Sequence, residues 1–359
     1  MNKRIVFTGG HHNSALVIAL ELKRQGYSIH WLGHKFTMNR DKNLSAEYRE
    51  VTSLGVPFYE LKAGKFYRAR SPVEYIQIVF GFIQAFYLLL TIRPKLIVSF
   101  GGYLAVPVVI SGWFLRIPSV THEQTVVSGW ANKAIAPFVK KIFLTHRSSQ
   151  ANFPAQKAVV TGLPIKPSLL SPRIYAKTKP KLIFIMGGKQ GSHVINQAIF
   201  PLIPKLVKRY QVIHQTGNSS ITGDDDRASK IKAALPRPLR QRYIHKSYFF
   251  EHDAAKYFLT SSLIICRGGA HTIYEILFLQ KKAIVIPIPW VSHDEQSQNA
   301  KLVAKLGLGY VLPEVELSPT SLLEVIEKGI KLTVKKRRQS AVITNATQKI
   351  IQHITPYLS

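Results

Sequence analysis

RIVFTGGHHNSALVIALELKRQ, residues 4–25, reads as a short buried strand, a glycine turn and an amphipathic helix. Residues 5–7 are an apolar run, Gly9 and Gly10 punctuate it, and apolar side chains recur at helical spacing over 14–25. The same phrase restarts at LIFIMGGKQGSHVINQ, residues 182–197. Outward from these two openings, buried strands are expected over 28–32, 96–100, 119–121 and 141–144, then over 211–214, 263–266 and 283–287. Helical patterns lie between them, over 72–91 and 104–115 in the first series and 192–208, 270–279 and 295–306 in the second. Strands alternating with helices predict an α/β fold of parallel sheets covered on both faces. The expectation is two doubly wound, Rossmann-like domains facing each other across a cleft.

The chain has 359 residues, more than one ordinary core takes up, so two domains are expected. Between 162 and 180 the pattern lapses, and Pro164, Pro167, Pro172 and Pro180 suit a linker. The expected domains are 1–163 and 164–344, with a helical tail over about 345–359 able to pack back on the first. A single cysteine, Cys266, excludes a disulfide framework and fits a reducing compartment. The start of the chain shows no signal-peptide h-region, and the apolar run 75–90 falls short of the roughly 20 residues a membrane span needs.

The formal net charge of +30 is carried by both halves and calls for an anionic partner: nucleic acid, anionic lipid or a phosphorylated substrate. No helix-turn-helix, zinc finger or RNP motif is present, so nucleic acid is not expected as a partner.

Glycine-rich turns fall at strand ends in both halves. Glycine lets backbone approach a ligand, and the helix N-terminus that follows attracts anions. In the first half these are Thr8-Gly9-Gly10-His11 and Phe100-Gly101-Gly102-Tyr103, with His122-Glu123-Gln124-Thr125 at the same edge. His11 is placed to take a proton from a hydroxyl; alone, it reads more readily as a surface histidine on a tight turn. In the second half they are Gly187-Gly188-Lys189-Gln190-Gly191-Ser192 and Arg267-Gly268-Gly269-Ala270, geometry suited to a diphosphate. Glu275, further into its helix, can accept from vicinal hydroxyls. Glu295 and Gln296, after Pro287-Ile288-Pro289, suit a polyhydroxyl ligand such as a sugar. Neither a G-x-G-x-x-G fingerprint nor a Walker loop is present. No zinc helix is expected at His122-Glu123, and Asp224-Asp225-Asp226 reads as an acidic helix start rather than a metal site.

Taken in order, TGGH (8–11), FGGYLAVP (100–107), IPSVTHEQ (117–124), VVTGLPIK (159–166), GGKQGS (187–192), HQTG (214–217), CRGGAHTIYE (266–275) and DEQSQNA (294–300) resemble the MurG family across nearly the whole chain. The resemblance implies a GT-B fold and inverting β-1,4 transfer of N-acetylglucosamine from UDP-N-acetylglucosamine. The implied acceptor is the muramyl 4-hydroxyl of an undecaprenyl-diphosphate-linked muramyl peptide. It implies His11 as candidate base, with Thr8, Gly9, Gly10, Gly101, Gly102, Tyr103 and Thr125 on the acceptor side. It implies Lys166, Gly188, Lys189, Gln190, Gly191, Gly269, Ala270, Thr272, Glu275, Glu295 and Gln296 on the donor side. No tightly bound cofactor or metal is implied, and a divalent cation is left open. Where the family usually has Asn, Arg and Ser, this chain has Thr125, Lys166 and Lys189. The implied location is peripheral, on the cytoplasmic face of the cell membrane. Tyr75, Ile76, Val79, Phe80, Phe82, Ile83, Phe86 and Tyr87, flanked by Arg68, Arg70, Arg93 and Lys95, form the expected docking patch for an anionic membrane surface. Other readings are a related transferase or UDP-sugar 2-epimerase on the same fold, or a membrane-bound scaffold without turnover.

Overall fold

The computed structural model describes residues 3–36, 44–64, 72–170, 179–188, 190–217, 219, 221–290, 294–334 and 342–358. The chain divides into two compact units, one of Met1–Lys166 with Ile343–Ser359 and the other of Pro167–Val342.

The first unit holds seven strands: β1 (Arg4–Thr8), β2 (Ser28–Gly33), β3 (Phe58–Glu60), β4 (Leu96–Ser99), β5 (Ser119–Glu123), β6 (Lys141–Leu144) and β7 (Ala158–Val160). They form one parallel sheet in the order β3-β2-β1-β4-β5-β6-β7. The second unit holds β8 (Leu182–Met186), β9 (Gln211–Gln215), β10 (Tyr243–Lys246), β11 (Leu263–Cys266), β12 (Ala283–Val285) and β13 (Gly309–Val311), parallel in the order β10-β9-β8-β11-β12-β13. In both sheets the strand order reverses beside the first strand, between β1 and β4 and between β8 and β11. A doubly wound sheet leaves a crevice at the carboxyl ends of the strands flanking such a reversal, because the connections depart to opposite faces.

Successive side chains on a strand point to opposite faces. Ile5 and Phe7 of β1 accordingly join one core with Val98, Val120 and Phe143, while Val6 joins the other with Ile97, Ile142 and Leu144. Both faces are covered, so β4, β5, β11 and β12 are buried at every position. This is why β4, β11 and β12 read as nearly unbroken apolar runs, whereas β5, SVTHE, buries polar side chains.

β3, β7, β10 and β13 have no counterpart in the sequence reading. Each spans three or four residues, and β3 and β13 are only half-buried, too short and too mixed to show a period. The single helix expected over 192–208 is instead His193–Ile199, a 3-10 turn Phe200–Leu202 and Ile203–Leu206. Pro201 and Pro204 remove the amide hydrogens that an unbroken helix would use. In the helix Pro72–Ile92 the segment Glu74–Ile92, 19 residues, is long and apolar enough to cross a bilayer by length and composition alone.

The tail helix Ala346–Ile354 lies on the helix His12–Arg24, and Ile350, Ile354 and Leu358 complete the core built on Phe7, Ile18 and Leu22. Lys95 donates to the Leu358 carbonyl at 3.5 Å. Fully buried isoleucines at this seam make it a principal stabiliser of the first unit. Ile350→Ala and Ile354→Ala are each expected to cost about 2–4 kcal/mol, read as a lowered urea midpoint of the full chain.

Candidate functional site

At the reversal in the first sheet, the turns after β1 and β4 interlock backbone to backbone. Gly9 adopts φ +128, and a Cβ there would stand 2.7 Å from the Gly101 carbonyl oxygen. The Gly10 amide donates to that same oxygen at 3.1 Å, and the Phe100 amide donates to Thr8 O at 2.8 Å. A Cβ on Gly102 would meet Gly10 N at 2.8 Å. The structure thus brings Thr8, Gly9, Gly10, Gly101 and Gly102 into one cluster at the sheet edge. His11 follows as the N-cap residue of the helix His12–Arg24.

His11 is exposed along one side, yet the protein packed around it lowers its pKa below 6.5, with the Glu123 carboxylate pulling the other way. Such a ring sits in the wall of the site rather than in a core, and it is mostly neutral near pH 7. The Gln124 amide donates to His11 O at 3.4 Å. Tyr103, half-buried, packs against His34 with ring centroids 5.5 Å apart.

Behind His11 the segment after β5 is organised by two residues outside the predicted set, Glu123 and Asn132. The buried Glu123 carboxylate accepts from Thr125 N at 3.2 Å, Thr125 Oγ1 at 3.0 Å, Gly129 N at 2.8 Å and Asn132 Nδ2 at 3.1 Å. Asn132 also accepts from Thr121 Oγ1 at 2.7 Å. The HEQT motif contained Glu123, but nothing in its spacing marked it as a loop organiser, and Asn132 carried no signal. Thr125, expected on the acceptor side, is buried with its hydroxyl committed to Glu123 and the Val127 carbonyl. It shapes the loop.

Thr8 Oγ1, His122 Nδ1, Gln124 Oε1 and Thr145 Oγ1 are buried at this edge with hydrogen-bonding capacity that the chain does not use. Buried polar groups are normally satisfied, so such a concentration marks a place where a polar ligand or water completes the bonding.

The second unit repeats the arrangement. A Cβ on Gly191 would lie 2.3 Å from Thr216 O, and one on Gly217 would lie 2.2 Å from Gln190 O, so the turn after β8 is locked to the end of β9. Gln215 fixes the same turn by donating to Gly188 O at 2.6 Å. Gly188 and Gly269 differ from these: a Cβ on either meets nothing within 4 Å. Open space therefore lies over both turns that flank the second reversal. Gly269 caps the ten-residue helix Ala270–Leu279, whose first-turn amides have no partner within the helix itself. Ala270 and Thr272 lie in that first turn and Glu275 one turn further along, half-buried. Burial, helped by the Glu275 carboxylate, pushes the Cys266 thiol up to about 12, so Cys266 is an inert core residue.

Gln296 is spent largely on architecture. Its Oε1 accepts from Gly268 N and Ile288 N, each at 3.1 Å, while Asn299 donates to Gly268 O at 3.1 Å. Among the described residues the Gln296 Nε2 has no hydrogen-bond partner. Glu295 begins the helix Glu295–Lys305 beside it. Lys166 is the last residue of the first unit, and Gln190 is exposed. Lys189 lies outside the described residues. Asp224–Asp226 open the helix Asp224–Ala234; Asp224 pairs with His193 at 3.0 Å and Asn196 at 2.8 Å, and Asp225 with Thr216 at 2.8 Å and His245 at 3.1 Å. Among the described residues no cluster of metal-ligating side chains is found.

Two glycine-turn edges on two doubly wound units are the mark of nucleotide-sugar enzymes of the GT-B class. Residues 6–144 match the glycosyltransferase family 28 N-terminal domain and residues 182–354 its C-terminal domain. The chain belongs to glycosyltransferase family 28. It is 31% identical, over 98% of its length and 96% of the relative's, to the UDP-N-acetylglucosamine--N-acetylmuramyl-(pentapeptide) pyrophosphoryl-undecaprenol N-acetylglucosamine transferase of Legionella pneumophila (strain Paris). To a second transferase of that name in Bacillus cereus (strain ATCC 10987 / NRS 248) it is 28% identical over 98% of this chain and 99% of the other. The fold is shared with the crystal structure of Acinetobacter baumannii MurG, at TM-score 0.68 and 24% identity over 99% of both chains. The chain is thus a glycosyltransferase of GT-B fold.

Burial holds His122 at about 4 and His214 at about 3, against 6.5 when free. Below pH 6.5 the unfolded chain therefore binds more protons than the folded one, and acid destabilises the fold until those lower values are reached. Each such histidine costs at most about 1.4 kcal/mol per pH unit in that window. His214→Asn is expected to flatten the loss of urea stability between pH 6.5 and 4, whatever its stability at pH 7.

Proposed function

We propose that this glycosyltransferase moves N-acetylglucosamine from UDP-N-acetylglucosamine to the 4-hydroxyl of a muramyl-peptide sugar on undecaprenyl diphosphate, the lipid I to lipid II step of peptidoglycan synthesis. Full-length similarity to transferases whose names state this reaction carries the reading. Within it, the first unit takes the acceptor and the second the donor.

The second unit supplies what a UDP leaving group requires. Its diphosphate fits over Gly188 and Gly269, where there is room, and faces the first-turn amides of the helix Ala270–Leu279. Those amides stabilise the charge that develops as the glycosidic bond breaks. Glu275 accepts from the ribose hydroxyls, Glu295 and the Gln296 Nε2 hydrogens address the donor sugar, and Lys166 and Lys189 add positive charge. In the first unit His11, neutral near pH 7, takes the proton of the attacking hydroxyl. Thr8, Gly10 and Tyr103 line the acceptor side, with Glu123 holding the wall behind.

Incorporation of radiolabel from UDP-N-acetylglucosamine into a short-chain lipid I analogue tests this, with UDP-glucose and UDP-galactose as competing donors. Release of a free epimerised sugar without label in lipid would overturn it in favour of an epimerase. His11→Ala is expected to lower kcat by about 10²-fold or more while leaving the donor KM within a few-fold. Because protonation disables the base, wild-type turnover should fall on the acid side with an apparent pKa below 6.5.

The apolar face of Pro72–Ile92 supports peripheral docking on an anionic membrane. Tyr75, Ile76, Val79, Phe80, Ile83, Phe86, Tyr87 and Leu90 are exposed, and Trp113 and Phe114 extend the surface from the helix Ala105–Phe114. Phe82 leaves the predicted patch, being half-buried, and Lys95 is turned to the tail; Arg68 and Arg70 lie outside the described residues. The helix is bolted to the sheet edge: Gln84 donates to Glu60 O at 2.8 Å and accepts from Lys62 N at 2.9 Å. A Cβ on Gly81 would lie 2.7 Å from that of Ala63. A helix so fastened lies on a bilayer rather than across it. The triple variant Ile76→Ser, Phe80→Ser, Ile83→Ser is expected to lose flotation with phosphatidylglycerol vesicles and to keep turnover on a water-soluble acceptor analogue.

A further inference from the structure

Arg267 opens a glycine turn of the sequence reading but has no role assigned there, and it stands where the edge of the second unit converges. It follows β11 and leads through Gly268 and Gly269 into the helix Ala270–Leu279. Its side chain is buried, with 9% of the residue exposed. Nη2 donates to Ser192 Oγ at 2.7 Å, Nη1 donates to Ile286 O at 3.1 Å, and Nη1 lies 2.5 Å from a Glu314 carboxylate oxygen. These partners belong to three other segments: the end of the turn after β8, the end of β12, and the 3-10 turn Glu314–Glu316 after β13.

A guanidinium is always charged and planar, and its fork reaches several acceptors in fixed directions at once. Lysine has a single ammonium on a flexible stem and cannot hold the same partners in one plane. Ser192 is itself the N-cap of the helix His193–Ile199, accepting from Ile195 N at 3.4 Å. One side chain therefore couples the cap of one glycine turn to the backbone of the other.

The geometry points to Arg267, neutralised by Glu314, as a positioning residue that sets the spacing of the Gly187–Ser192 and Gly268–Ala270 turns and so fixes affinity for the nucleoside diphosphate part of the donor. This rests on the donor reading given above. Arg267 acts through Ser192 and through the amides that follow it, without contact to the sugar. Removing one charge of a buried pair strands the other, whereas removing both does not. Folding and positioning are separable on that basis.

The test compares Arg267→Lys, Arg267→Met, Glu314→Gln and the double variant Arg267→Met/Glu314→Gln in the full chain. Calorimetric binding of UDP, thermal melting, and KM for donor and acceptor with kcat are measured for each. Arg267→Met is expected to melt earlier, and the double variant to regain most of that loss. Both should bind UDP at least tenfold more weakly and raise the donor KM in parallel, with kcat and acceptor KM within about twofold. Arg267→Lys should keep its charge and fold but still bind UDP several-fold more weakly. Wild-type UDP affinity in the double variant would overturn the proposal by reducing Arg267 to a structural charge. Acceptor KM and kcat shifting as much as donor KM would overturn it too. Failure of the wild-type chain itself to bind UDP would remove the donor reading, and the proposal with it.

Discussion

Gly9 lies against the carbonyl of Gly101, and Gly191 against Gly217, at separations that leave no room for a Cβ. Each contact joins the two strand-end turns beside a reversal or the turn next to it. An amide hydrogen bond from Gly10 to Gly101 fixes the first, and the Gln215 side chain braces the second through Gly188. The rest of each site follows from them. With the turns locked, the helix after each begins at a set height above the sheet. Gly188 and Gly269 stay bare: among the described residues nothing would meet a Cβ on either within 4 Å. Positive φ at Gly9, Gly191 and Gly217 adds a second reason why no other residue type serves there.

Much of the polar chemistry at these edges turns out to hold the protein rather than a substrate. Glu123 spends its carboxylate on the loop that follows it, Thr125 closes the same loop, and Gln296 with Asn299 secures Gly268. A site that must bind an anion needs its amides immobile before the ligand arrives, because any ordering left to the moment of binding subtracts from affinity. Side-chain amides and carboxylates that pin backbone serve that need as directly as those that touch ligand.

The strands of both sheet centres were legible in the sequence because burial on two faces writes an unbroken apolar run. The glycine turns were legible because they follow such runs at once. β3 and β13 were not, since three half-buried residues have no measurable period, and their place is set by hydrogen bonds to β2 and β12. The helix over 192–208 was misread because its apolar spacing continues through Pro201 and Pro204. Of the candidate site residues, those defined by backbone conformation (Gly9, Gly101, Gly188, Gly269) gather at the two edges. Thr125 and Gln296 were legible as polar residues near an edge but not as braces, Arg267 only as the first residue of its glycine turn, and Asn132 not at all. Whether a side chain points at a ligand or at another part of the chain depends on partners outside its own motif, such as Ile286 for Arg267 and Thr121 for Asn132. Spacing within a motif carries no trace of them.

The final helix has a consequence for how the polypeptide is made. Ile350, Ile354 and Leu358 close a core that otherwise consists of residues from the first 143 or so positions. During synthesis the first sheet emerges early and then waits, its helix His12–Arg24 bare on one side, while the entire second unit is translated. The seam cannot shut before residues 350–358 have been made. Until then the nascent chain presents an oily groove to chaperones and to neighbouring chains, and a chain cut before Ile350 would keep it open for good.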